Sequence, residues 1–252
     1  MEKPRLIFGL HSVRTALRNA GSVETLWVDA RRRDRRIGEI RQLARQSAVA
    51  VKNVDRDELD RLSGGANHQG VVARVRGGVA PRDEAFLWTL LERLEMPPFL
   101  LILDGVQDPH NLGACLRTAD GAGVHAVIVA KDRSVGLTST VCKVASGAAE
   151  HVPFVQVTNL GRVLRRLHEE HGLWLVGTAG EAEMELYDVD LTGPLGIVMG
   201  GEGKGLRRLT REHCDQLVRL PMAGRVESLN VSVATGISLY EAVRQRHCAK
   251  PA

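Results

Sequence analysis

The chain has 252 residues, 44% of them hydrophobic and 25% charged, a balance that excludes a disordered, collagenous or coiled-coil polypeptide. No apolar run reaches the roughly 18–20 residues of a membrane span, and Cys115, Cys142, Cys214 and Cys248 form no CxxC pair, which argues against both a disulfide framework and a zinc site. The net charge of +4 hides an asymmetry: residues 1–78 hold 16 Lys+Arg against 9 Asp+Glu, and residues 79–252 hold 18 against 21, so the first third is expected to meet a polyanion.

In chain order, the first ten residues lack the charged, apolar, small succession of a signal peptide, and a soluble cytoplasmic protein without metal is expected. Ser12 can cap a short helix ending near Gly21, and residues 24–28 read as a strand. Arg31, Arg32, Arg33, Arg35 and Arg36 follow, broken only by Asp34. A charge run is ordinarily a solvated face, but arginine forks suit phosphate, and these five are candidate RNA contacts. With nine aromatics in the whole chain, base stacking on an aromatic platform is a poor alternative. Ile37, Ile40, Leu43 and Ala44 recur at helical spacing, and residues 49–54 and 71–75 are strand candidates. These elements make a small α/β unit over residues 1–76, and Gly77, Gly78 and Pro81 open a linker over 77–97.

From Phe99 the pattern changes. Residues 99–103, 125–130, 153–157, 174–177, 195–199 and 216–220 are short apolar runs without alternation, as in strands buried on both faces of a mostly parallel sheet. Helices are expected over 111–122, 138–148, 160–171 and 206–213. The last helix, 229–247, is apolar nearly all round (Val231, Val233, Ala234, Leu239, Tyr240), so its own sheet or another subunit should bury it.

Three segments could carry chemistry. The first is DPHNLGACLRTADGAG, residues 108–123. Asn111 there could be an ordinary cap and Gly113 an accident. Arg117 on the core side of a helix start, however, would need an anion, either an RNA phosphate or a structural partner such as Asp104 or Asp108. The second, GIVMGGEGKGL at 196–206, runs a strand into Gly200, Gly201, Gly203 and Gly205, where a backbone can approach a ligand closely. Lys204 is not followed by Ser or Thr, and GxGxG this late in the chain misses the dinucleotide fingerprint. Glu202 in its middle suits a cationic or zwitterionic ligand better than a phosphate. The third, LPMAGRVESLNVSVATG at 220–236, ends on Ser228 or Asn230 opening the last helix; Ser228 lacks a hydrolase frame. His168 and His171 lie on a polar helix with Glu169 and Glu170 and read as a solvated face rather than a metal site. All three segments leave carboxyl ends of expected strands, where open α/β sheets build ligand sites.

In this order and spacing the segments resemble the signature motifs of the SpoU (TrmH-type) branch of the SPOUT RNA methyltransferases. The resemblance rests on Asn111-x-Gly113-x3-Arg117, on the strand with Gly200-Gly201-Glu202-Gly203, and on Leu220-Pro221 through Ser228-Leu229-Asn230. IFGLHSVRTAL (7–17) and NHQGVVARV (67–75) are similar to the substrate-binding domain of rRNA-modifying members. It implies an α/β catalytic domain over 98–252 with a mostly parallel sheet and a trefoil knot, a rare exception to unknotted topology. The small N-terminal α/β domain would be similar to ribosomal RNA-binding proteins. S-adenosylmethionine would be held by the backbone around Gly200, Leu220 and Leu229, with Met199, Gly201 and Met222 beside them. A homodimer would methylate a guanosine 2′-hydroxyl in the peptidyl-transferase region of 23S rRNA. Arg117, Asn111, Glu202, Ser228 and Asn230 carry over as catalytic residues. The family role of Arg117 is to activate the hydroxyl; free arginine titrates above about 12, so binding a phosphate and stabilising the developing alkoxide is the physically preferred form of it. A tRNA substrate and a non-catalytic RNA-binding factor are the alternatives. The N-terminal domain argues against the first, and the intact motifs against the second.

Overall fold

A computed structural model describes residues 5–18, 23–75, 80–203 and 205–248. Gly77, Gly78 and Lys204 lie outside the described residues. The chain divides into two units, residues 1–80 and 81–252.

In the first unit the order is β1 (Arg5–Phe8), α1 (Leu10–Arg18), β2 (Val23–Asp29), α2 (Arg35–Gln46), β3 (Ala50–Val54), α3 (Arg56–Ser63) and β4 (Val71–Val75). The sheet runs β1-β4-β2-β3, with β4 antiparallel to β1 and β2, and β3 parallel to β2. Alternation along the strands sorts the side chains onto two faces. Leu26, Val28, Val71 and Ala73 pack with Val13 of α1 and with Ile37 and Ile40 of α2. Trp27 and Val72 face Leu59 of α3 on the other side. Asp34 and Asp55 cap α2 and α3 by accepting from the Ile37 and Glu58 amides. Ser12 lies inside α1 rather than capping it. The Leu10 amide instead donates to Gln69 Oε1 at 3.1 Å, so a side chain distant in sequence supplies the cap.

The second unit contains α4 (Glu84–Arg93), β5 (Phe99–Asp104), α5 (Pro109–Ala122), β6 (Ala126–Ala130), α6 (Ser139–Val144), α7 (Ala148–His151), β7 (Phe154–Val157) and α8 (Leu160–Glu169). β8 (Trp174–Thr178), β9 (Met184–Glu185), β10 (Leu195–Gly200), α9 (Arg208–Glu212), β11 (Gln216–Arg219) and α10 (Val231–Cys248) complete it. The sheet order is β7-β6-β5-β10-β8-β11-β9, every neighbouring pair parallel. β5 and β6 are buried along their whole lengths, as their unbroken apolar runs require. α4 falls inside the stretch read as a linker: Leu87 and Leu91, one turn apart, are buried with Leu100 and Ile102. The helix expected over 138–148 breaks at Ser146 and Gly147, both with positive φ, into α6 and α7.

The place of β10 in the sheet sets where the motif loops meet. β10 enters the sheet between β5 and β8, and its register runs from Leu195 beside Phe99 to Gly200 beside Asp104. The loops after residues 104 and 200 therefore leave the sheet side by side. α10 then packs across α5, burying Thr235, Ser238, Leu239 and Ala242. Only that face is covered; Val233 and Tyr240 remain about half exposed in the single chain.

Gly113 is a packing requirement rather than an accident. A Cβ there would sit 2.6 Å from Val144 Cβ and 2.9 Å from the Val141 carbonyl oxygen of α6. Gly113→Ala should gain about 1 kcal/mol of helix propensity but lose roughly 1–3 kcal/mol to overpacking. One blocking atom is backbone, so the clash prevails, and urea titration should show a lower midpoint at unchanged slope.

Candidate active site

The glycine loop is held by backbone contact and by one buried carboxylate. The Gly201 amide donates to the Asp104 carbonyl at 2.9 Å. A Cβ on Gly200 would overlap the Gly205 carbonyl carbon, and one on Gly201 would overlap the Gly105 carbonyl oxygen. No larger residue fits either position. The Asp104 carboxylate is fully buried; it accepts from the Arg207 amide at 2.9 Å and pairs with the Arg207 guanidinium. Both ends of the loop are thus pinned to the end of β5. The structural alternative of an Asp104 partner for Arg117 therefore falls away, because Asp104 neutralises Arg207 instead. Asp108 is committed too, accepting from the His110 amide at 2.8 Å as the cap of α5.

From this frame a chain of side-chain hydrogen bonds joins the three motifs. Asn111, buried in the first turn of α5, donates from Nδ2 to Glu202 Oε1 at 2.8 Å. Its Oδ1 accepts from Asn230 Nδ2 at 3.0 Å. Asn230 Oδ1 in turn accepts from the amide and hydroxyl of Ser232 at 2.9 and 2.7 Å, closing the start of α10. An ionised carboxylate can only accept, so Glu202 dictates which way both amides face. Burial pushes the Glu202 carboxyl up, but the bonds from Asn111 and from the backbone of Glu202, Gln107 and Asp108 together hold it below its ordinary 4.5. Glu202 is therefore an anion at neutral pH.

Beside this chain lies a cavity of about 430 Å³, in the range of small-molecule sites. Met199, Gly200, Gly201 and Glu202 form one wall, Leu220 and Met222 a second, and Ser228, Leu229 and Asn230 a third. Thr178, the last residue of β8, and Ala179 and Gly180 after it also line it. The last three were missed in the sequence; their small-residue run at a strand's carboxyl end is the signal that could have found them.

Arg117 is not among the lining residues. It is exposed, and among the described residues it makes no hydrogen bond or ion pair. At 3.6 residues per turn, six positions beyond Asn111 put it roughly 120° round α5. It does not lie on the core side: Leu112, Cys115, Leu116 and Ala119 take that face. In the first unit, Arg31, Arg33 and Arg36 are exposed, and Arg35 lies 3.3 Å from Glu39. Arg32 is engaged, donating to Asp34 Oδ2 at 2.8 Å and to the Gln69 carbonyl. No group of His, Cys, Asp or Glu among the described residues could hold a metal ion, and no described helix is long and apolar enough to cross a membrane.

Residues 98–240 match the model of the SpoU rRNA methylase family, and residues 6–77 match that of the RNA 2′-O ribose methyltransferase substrate-binding domain. The chain belongs to the SpoU rRNA methylase family. It is 57% identical to the 23S rRNA (guanosine-2′-O-)-methyltransferase RlmB of Pseudomonas syringae pv. tomato and 54% identical to that of Ralstonia nicotianae, in each case over 98% of both chains. Among solved structures it is similar to the SpoU methyltransferase AviRb from Streptomyces viridochromogenes in complex with AdoMet. That likeness has a TM-score of 0.80 at 27% identity, over 98% of this chain and 92% of that one. The bonds through Asn111 connect in space the three segments that resemble the SpoU motifs.

Asp104→Ala would free the glycine loop and strand the Arg207 guanidinium. Breaking a fully buried pair costs roughly 3–5 kcal/mol. Arg207 is 40% exposed and can partly rehydrate, so about 2 kcal/mol is expected, seen as a fall of roughly 4–8 °C in Tm.

Proposed function

We propose that this protein uses S-adenosylmethionine to methylate the 2′-hydroxyl of a guanosine in 23S rRNA. The observation that carries the reading is the match to relatives named for that reaction along 98% of both chains. It spans the substrate-binding unit as well as the motif loops. In this reading residues 1–76 grip the RNA, and the second unit from residue 81, with α4 packed into its core, forms the knotted methylating domain of a cytoplasmic enzyme.

The cavity suits such a cofactor. Two glycines whose Cβ positions are filled by backbone make a narrow wall for a flat adenosine, and Met199, Leu220, Met222 and Leu229 offer apolar contact. The Glu202 carboxylate supplies the negative charge that a sulfonium prefers. When bound, S-adenosylmethionine offers a sulfonium methyl that the ribose oxygen attacks in line, the C–S bond breaking as the hydroxyl proton leaves to a phosphate or water. The residues of the chain must orient that attack and lower the cost of the proton's departure. Asn111 and Asn230 hold the Glu202 and Ser228 loops in register. Arg117, without a partner among the described residues, is free to bind the phosphate beside the target ribose and to stabilise the oxygen as negative charge grows on it. Because Arg117 does not line the cavity of its own chain, it would serve the site of a second protomer. Val226, Val233 and Tyr240, each half exposed or more and outside the cavity lining, offer apolar surface for that homodimer.

Two outcomes are expected. The Glu202 carboxyl titrates below its ordinary value, so its contribution to cofactor affinity is complete above about pH 4.5 and is lost as pH falls through the lowered value. Calorimetric titration of S-adenosylmethionine across pH should show that fall only at the acid end, and Glu202→Gln should weaken binding about tenfold at pH 7. Incubation with methyl-labelled S-adenosylmethionine and unmodified 23S rRNA should place label in one 2′-O-methylguanosine, mapped by digestion and mass spectrometry, and Arg117→Ala should abolish it. Label in tRNA instead would overturn the substrate, and absence of both cofactor binding and label would overturn the enzymatic reading.

A further inference from the structure

The α2 helix carries a glycine that packing does not explain. Gly38 is exposed in the interior of α2, and a Cβ built on it would meet nothing within 4 Å. Its φ is not positive, so no turn or strain requires it there. Glycine is the least favourable helix residue apart from proline, and here that cost is met with no structural return.

Charge surrounds that bare stretch of helix. One side borders a cavity of about 540 Å³ lined by His11 and Arg14 of α1, by Arg35, Arg36 and Glu39 of α2, and by Gln69. The other borders a cavity of about 440 Å³ lined by Arg32, Arg33, Gly38, Arg41 and Asn53. Glu39 is the only carboxylate on either, 3.3 Å from the Arg35 guanidinium. Asp34 nearby is taken up by Arg32 and the Ile37 amide. Arg33, Arg36 and Arg41 have no ionic partner among the described residues. Arg14 is held in place by donating to His11 Nδ1 at 3.3 Å. The first turn of α2 contains no acid, whereas that of α3 has Asp57 and Glu58. Cations at a helix start are unfavourable until an anion arrives.

We propose that the first two turns of α2 form a ridge against which the phosphodiester backbone of the RNA lies, with Gly38 as the point of closest approach, Arg41 beside it and Arg36 on the side of the helix that faces α1. Arg32 is then a staple between the α2 start and the Gln69 loop, not an RNA contact. The inference rests on the RNA-substrate reading above and adds where that substrate is gripped.

The test is binding of the full-length protein to an unmodified 23S rRNA transcript. Gly38→Gln should raise the thermal midpoint, because a good helix former replaces glycine, and yet weaken RNA binding at least tenfold. Arg36→Gln with Arg41→Gln should lower the slope of log affinity against log salt by about 1.5, and Arg36→Lys with Arg41→Lys should keep it. Arg56→Gln with Arg61→Gln, on α3 across the sheet, should leave the slope nearly unchanged. S-adenosylmethionine affinity should be unaltered in every variant. A Gly38→Gln protein that is more stable and binds RNA as wild type does would overturn the ridge, as would an unchanged slope in the Arg36/Arg41 glutamine variant. Wild-type protein that binds the cofactor but no RNA would remove the ridge together with the substrate reading, a result distinct from either of those.

Discussion

The carboxamide of Asn111 meets partners 91 and 119 residues further along the chain, Glu202 at 2.8 Å and Asn230 at 3.0 Å. Few arrangements satisfy both at once. The carboxylate accepts only, so the Asn111 amino group must face it, its carbonyl must face Asn230, and the Asn230 carbonyl is left to close α10 on Ser232. Reversing either amide would set oxygen against oxygen in a half-buried site. The cavity walls from the second and third motifs are therefore placed by one polar side chain from the first, which does not itself line the cavity.

That bond can form only because the sheet brings its ends together. β10 slots beside β5 in a register that ends both strands at the same level; Gly201 lets the two departing loops touch at the backbone of Gly105, and Gly200 lets the glycine loop fold back on its own far end at Gly205. The buried Asp104 carboxylate then ties the far end of the glycine loop back to β5 through Arg207. A buried ion pair is weak evidence of added stability. Its effect here is positional, since it fastens the far end of the loop that carries Glu202 to the end of β5.

Much of this was legible in the sequence. The six runs from residue 99 onward all form strands of the parallel sheet; the signal is plainest for β5 and β6, buried along their whole lengths, because a strand buried on both faces must be continuously apolar. The small or short elements escaped notice. α3 is polar along most of its length, and α4 lies where Gly77, Gly78 and Pro81 suggest a linker. β9 has two residues. The residues around the cavity were also within reach of sequence reading, since they follow strand ends. What could not be read was pairing: Asp104 could have met any of 34 cations, and nothing local selects Arg207. The facing of Arg117 was available from helical periodicity, because Leu112, Cys115, Leu116 and Ala119 already claim the buried side of α5.

If Asn111 and Asn230 act as one unit, their removal should not be additive. The direct measurement is calorimetric S-adenosylmethionine affinity in Asn111→Ala, in Asn230→Ala and in the double variant. The account predicts that the double variant binds no more weakly than the worse single one, because either substitution already releases the chain of bonds. Losses that simply add would contradict it, and would mean that the two amides contact the cofactor site independently.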